Sequence, residues 1–200
     1  MTAALCPVQL RPMTAADLPA VTALEQELFP EDAWTPRMFA SELAGVPDSR
    51  HYLVAEAAGR IVGYAGLLAP LPPPPGPSRG AGRHEPGILA DVATMAVAAD
   101  HWGRGIGSAL LTALLTEAAD RGCAEVFLEV RADNPRAQRL YRRHGFTAVG
   151  LRRGYYQPSG MDAIVMHRPT DQAPVDQAVS PAPPSTVPPS TAPASGGSRS

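Results

Sequence analysis

A chain of 200 residues, 44% hydrophobic, holds enough apolar material for one domain of ordinary size. Its formal net charge of −2 leaves no basic footprint for nucleic acid, and no run of charge suits a membrane surface. Two cysteines (Cys6 and Cys123) and five scattered histidines lack metal or redox spacing, so reduced thiols, a cytoplasmic location and no metal site are expected. The first residues lack the basic and apolar regions of a signal peptide, and no stretch is long and apolar enough to span a bilayer.

In chain order, residues 8–10 read as a short strand. Thr14 with Asp17 resembles a capping box, and Leu18, Val21, Leu24 and Leu28 form a helical stripe. Thr35 and Pro36 suit N-cap and N1 of a second helix that ends near Gly45. Residues 51–56 and 61–68 are strands joined through Ala58-Gly59, a hairpin signal. A proline- and glycine-rich segment, 70–87, buries too little apolar surface to offset chain entropy. It reads as a loop insertion, and the Pro/Ser/Thr/Ala tail from 170 to 200 reads as a solvated extension. The folded domain is then 1–169.

Residues 89–97 form an apolar strand, followed by Gly103-Arg104-Gly105-Ile106-Gly107. A helix pattern with Leu110, Leu111, Leu114, Leu115, Ala118 and Ala119 on one stripe runs on to a stop at Gly122, with Arg121 in the last turn where a cation suits the dipole. Residues 124–130 make the next strand. Asn134-Pro135 opens a helix through Tyr141 and His144, stopped by Gly145. Strands 146–151 and 161–168, joined by 152–160, finish the sheet. One crossover unit between strands at both ends implies an α/β (α+β) fold with a mixed sheet and helices on it.

A glycine loop that opens a helix leaves backbone N–H groups unpaired at the positive end of the dipole, and glycine lets a bulky phosphate approach. A dinucleotide site is one carrier of such a loop, and Glu129 tempts towards a ribose contact. Yet residues 98–102 separate strand from loop, and the third fingerprint glycine falls on Leu110.

The other carrier fits better. After Met95-Ala96-Val97, the loop through Gly107 and Ser108 resembles the acyl-CoA diphosphate loop of the GNAT N-acetyltransferase superfamily, written Q/R-x-x-G-x-G/A. The set Leu128-Glu129-Val130-Arg131, Asn134, Leu140-Tyr141, Gly145-Phe146, Arg153-Gly154-Tyr155-Tyr156 and Asp162-Ala163-Ile164 is similar, in order, to the bacterial ribosomal-protein-alanine N-acetyltransferases. Trp102 departs from the signature: it stands at the first Q/R position, removing one polar side chain from the diphosphate edge.

The resemblance implies a GNAT fold, a mostly antiparallel sheet with one β-loop-α-β unit, and acetyl-CoA as co-substrate without a metal. It implies a protein N-terminus as acceptor, the N-terminal alanine of a small-subunit ribosomal protein; a monomer or weak dimer, with no nucleic-acid or membrane partner, is expected. A broader peptide or small-amine acetyltransferase and a non-catalytic acyl-CoA sensor are the alternatives. A free α-amine titrates near about 8, so a modest base is useful at neutral pH. Glu129 carries that role in the resemblance; its residues alone also allow a Glu129–Arg131 pair at a solvated strand end. Tyr141 is the implied proton donor, though its spacing equally suits a core tyrosine. Asn134 is explained as an N-cap, and the resemblance adds a contact to the pantetheine arm. Met95, Ala96 and Val97 are expected to pair with that arm like an added strand, beside a bulge. Trp34, Tyr155 and Tyr156 are the expected walls of a peptide groove.

Overall fold

The computed structural model describes residues 7–71 and 88–171. Most of the expected insertion (72–87), the tail from 172 onward and Cys6 lie outside the described residues. The strands are β1 (Gln9–Pro12), β2 (Arg50–Ala57), β3 (Arg60–Leu68), β4 (Ile88–Val97), β5 (Cys123–Arg131), β6 (Thr147–Tyr156) and β7 (Met161–Pro169). The helices are α1 (Leu18–Leu28), α2 (Pro36–Leu43), α3 (Ile106–Asp120) and α4 (Pro135–Arg143). The strands form one sheet in the order β1-β2-β3-β4-β5-β7-β6. Only β4 and β5, linked through α3, run parallel; every other neighbouring pair is antiparallel. This is the expected mixed sheet, and it is not the doubly wound parallel sheet of a dinucleotide fold.

Local chemistry sets the element boundaries. Thr35 accepts from the Met38 N–H at 3.3 Å with Pro36 at N1, and Asn134 accepts from the Ala137 N–H at 3.0 Å with Pro135 at N1. Adjacent residues of β3 show the two faces. Tyr64 meets Phe39 of α2 edge-on at 5.6 Å, whereas a Cβ at Gly63 would stand 3.3 Å from Leu110 of α3. Helices α1 and α2 therefore cover one face. Helix α3 covers the other, with α4 beside it through a 2.7 Å contact between Ser108 Oγ and His144 Nε2.

The structure corrects two expectations. Strand β6 continues through 152–156, because Gly154, at φ +58°, lets the chain bulge between the Arg152–Ala163 and Tyr156–Met161 pairs and stay on β7. Arg121 does more than complement a dipole. It is 5% exposed and donates to the Ala69 carbonyl at 2.6 Å and to Glu117 at 2.7 Å, tying the end of α3 to the chain beyond β3.

The decisive irregularity lies in β4. Leu67 pairs with Val92 and Gly66 with Thr94, so Ala93 is an extra residue. One inserted residue reverses which side chains face α3: Val97, like Leu110 of α3, lies close to Gly63. Beyond the bulge β4 stays with β3, while β5 stays with β7. The parallel ladder ends at the Val92–Leu128 pair, and Glu129 to Arg131 pair only with Val165, Ile164 and Ala163 of β7. The sheet forks there.

Candidate active site

The fork opens into two cavities. The larger, about 770 Å³, is lined by Met95, Ala96, Val97, Gly103, Gly105, Ile106, Gly107, Ser108 and Asn134, all expected cofactor residues. The smaller, about 150 Å³, is lined by Glu129, Thr94, Trp34 and Tyr156. Tyr141, Met95, Asn134, Ala137 and Phe29 line both, so the two chambers share a wall.

The larger cavity fits an anionic, elongated group. Gly105 (φ +79°) is the N-cap of helix α3, where no side-chain cap is formed, and the first helical bond runs from the Ala109 N–H to the Gly105 carbonyl. Helix geometry leaves the preceding amides of Ile106, Gly107 and Ser108 without helical partners at the positive end of a dipole. Arg136 and Arg143 add cationic lining. The Ala98 N–H bonds to the Val62 carbonyl at 2.8 Å, so Ala96 and Ala98 address β3. By alternation the amides of Met95 and Val97 address the gap, where an extended arm finds backbone partners. An added Cβ at Gly105 meets nothing within 4 Å, which leaves strain in the left-handed conformation as the local cost. Gly105→Ala is therefore expected to cost about 1–2 kcal/mol of stability. It should also place a methyl over the open amides and weaken acetyl-CoA binding about tenfold by calorimetry. An unchanged dissociation constant would remove the loop from the binding surface.

Two residues depart from expectation on this side. Arg104 does not line the cavity; its guanidinium donates to the Asp100 carbonyl at 3.0 Å. Trp102 does not leave the rim apolar. Its indole N–H donates to the gap-facing Val97 carbonyl at 2.7 Å, and the Arg136 guanidinium lies 3.0 Å above the ring. A cation from α4 thus stands where the loop signature lacks one. Burial lowers the Arg136 pKa, with a smaller push from Arg139.

In the smaller cavity, Glu129 is the first residue of β5 past the fork. Its partner is Arg152 of β6, at 2.9 Å, with the glutamate 17% and the arginine 55% exposed. The Glu129–Arg131 alternative fails, because Arg131 bonds Asp133 at 3.0 Å and reaches Asp32 at 3.8 Å. Asp91, half-buried on the same strand face as the bulge approaches, has its carboxyl pushed up to about 6 by burial and then by the Glu129 charge. Burial alone pushes the Tyr141 phenol up to about 12, so it is uncharged at any working pH, and its hydroxyl has no hydrogen-bond partner among the described residues. Trp34 stacks obliquely on Phe39 at 5.3 Å and Tyr156 faces the cavity, but Tyr155 lines neither chamber; it is 45% exposed. Neighbouring strand residues point to opposite faces, so one of the two tyrosines had to be lost. Cys123 is buried, which pushes its thiol pKa up, away from nucleophilic use.

Residues that sequence reasoning missed include Arg136, Arg152, Asp91 and Glu25. Arg136 and Arg152 carry no local signal. Glu25 does: it follows Val21 by four residues, on the apolar stripe of α1, where an acid is costly without a purpose.

The profile of the acetyltransferase (GNAT) family matches residues 18–146. The N-alpha-acetyltransferase RimI of Mycobacterium tuberculosis is 44% identical over 171 residues, covering 84% of this chain and 96% of that protein. The crystal structure of the ribosomal-protein-S18-alanine N-acetyltransferase from Escherichia coli superposes with a TM-score of 0.64 at 29% identity, covering 84% of this chain and 96% of that one. Arabidopsis thaliana NAA60 in complex with acetyl-CoA shares the fold, with a TM-score of 0.67 at 22% identity over 82% of this chain and 98% of that one.

Proposed function

The chain belongs to the acetyltransferase (GNAT) family, and on that premise we propose that it moves an acetyl group from acetyl-CoA to the α-amine of a protein N-terminus, its acceptor being an N-terminal alanine of a small-subunit ribosomal protein. The observation that carries this reading is the wall common to the two cavities: Tyr141 and Met95 border both the long cationic chamber and the small acidic one. A donor held in the first meets an acceptor held in the second.

The residues divide the work as follows. The amides opening α3 take the diphosphate, with Arg136 on Trp102 at the rim. The gap-facing amides of Met95 and Val97 take the pantetheine arm as an added strand, and a backbone N–H near the bulge polarises the thioester oxygen. Bound acetyl-CoA supplies an acyl carbon activated by sulfur. Glu129 takes a proton from the incoming amine as nitrogen bonds to that carbon. Tyr141 donates its hydroxyl proton as the sulfur leaves. At a pKa of about 12 the phenol surrenders that proton only as charge develops on the sulfur, so the transfer is concerted with departure. The size of the acceptor chamber favours small first residues. About 150 Å³ equals roughly five waters at ~30 Å³ each, room for an amine, its Cα and a methyl.

The test is acetyl-CoA turnover with hexapeptides that differ only at the first residue. Ala-first peptides are expected to exceed Met-first peptides in kcat/KM by about tenfold, the scale of excluding a few methylenes, and lysine side chains should be poor acceptors. Equal rates for all amines point to a broad acceptor range. Binding of CoA with no turnover of any amine makes the protein a sensor.

A further inference from the structure

Resting on the reading above, we propose that Glu25 seats the acceptor's amine: a primary ammonium in the smaller cavity supplies the hydrogen-bond donor that one oxygen of this carboxylate lacks. Glu25 is 2% exposed and lines that cavity. Its Oε1 accepts from the Trp34 N–H at 3.0 Å, while its Oε2 is buried with no hydrogen-bond partner among the described residues. A buried, unpaired carboxylate oxygen is costly enough that its donor has to come from somewhere.

The chain's own lining does not offer it. Asp32 and Glu129 bring more negative charge, and Arg131, the cation among the described lining residues, is held by Asp133 and Asp32. The hydroxyls of Tyr141, Tyr156 and Thr94 and the amide of Asn134, the other donors in that lining, do not reach it, since Glu25 Oε2 has no hydrogen-bond partner among the described residues. An acidic chamber suits a primary ammonium, which carries three donors on one compact centre. Burial first, and the charge of Asp32 in addition, push the Glu25 carboxyl up to about 7, against the Trp34 N–H. Near neutrality it is therefore poised to ionise when the ammonium arrives, releasing its proton. Glu25 then holds the amine and Glu129 deprotonates it.

The experiment titrates CoA-loaded protein with two probes, an alanyl hexapeptide and its des-amino analogue, in which propionyl replaces alanyl. Each titration is run at pH 6 and 7.5 in buffers of different ionisation enthalpy. For the alanyl peptide we expect proton release at pH 6 and affinity about tenfold higher at pH 7.5, as the carboxyl passes through its pKa. The des-amino peptide should show neither effect. Glu25→Gln keeps an acceptor for the Trp34 N–H, so acetyl-CoA affinity should hold. KM for the alanyl peptide should rise about tenfold, with kcat changed far less and the pH dependence flattened. Wild-type titrations in which both probes behave alike overturn the proposal, and they decide it even if the variant does not fold. A Glu25→Gln enzyme with wild-type KM and pH dependence also overturns it, while leaving peptide turnover intact. A wild-type protein that turns over no peptide overturns the functional reading itself and this inference with it.

Discussion

Glu129→Gln is expected to lower turnover of an Ala-first peptide about 10²–10³-fold, within the range for losing a positioned general base. The acetyl-CoA dissociation constant should not change, because Glu129 lines the acceptor chamber and not the larger cavity. Glutamine preserves the shape and can still accept from Arg152, but it cannot take a proton. An α-amine with a pKa of about 8 is roughly one-tenth unprotonated at pH 7, which explains why activity falls and does not vanish. Folding should survive. The partner Arg152 is half in solvent, and such pairs contribute about 0–1 kcal/mol. Loss of the Glu129 charge also relieves Asp91. Thiol release measured with saturating acetyl-CoA reports the rate, and calorimetry reports the affinity. A wild-type rate would return Glu129 to an ordinary ion pair.

Tyr141→Phe should reduce kcat about 10- to 100-fold, the range of a hydrogen bond to a developing charge, with KM for acetyl-CoA nearly unaltered. Its hydroxyl has no partner among the described residues, so its removal orphans nothing. The ring keeps its edge contact with Phe146 at 5.9 Å. Thermal stability should therefore stay within about 1 kcal/mol of wild type. The pH profile sharpens the test. A phenol held near 12 adds no limb to the rate between pH 6 and 9, so the loss should be uniform across that window. A rate equal to wild type would make Tyr141 a packing residue at the chamber wall.

Much of the fold could be read from the chain because short-range rules coincide with it. The N-caps Thr35 and Asn134, each followed by proline, fall where the helices begin. Alternation along β5 buries Val126, Leu128 and Val130 and leaves Glu129 half-buried on the other face. The larger cavity was legible for the same reason: its glycines, the helix they open and the strand before them are neighbours in sequence. The smaller chamber was legible only in part: Glu129, Tyr141, Trp34 and Tyr156 were named, but Glu25 reaches it from α1, and Arg152 meets Glu129 from β6, separated from β5 by β7, and no local pattern encodes that strand order. The pairing of Trp102 with Arg136 bridges a loop and a helix that meet only in the folded chain. Within β6, Gly154 disguised a bulged strand as a turn.

The vertex of the fork doubles as a depth gauge. Below the Val92–Leu128 pair the two strands are hydrogen-bonded to each other, and a closed ladder does not part for a few methylenes. On the proposed binding mode, an arm sliding between them meets a floor made of backbone, so how far a thioester penetrates depends on where Ala93 interrupts the strand. Longer acyl chains must then compete with the incoming amine for the same small chamber. Discrimination between acyl donors becomes a property of one inserted residue's position, written into the main chain and held by no single side chain.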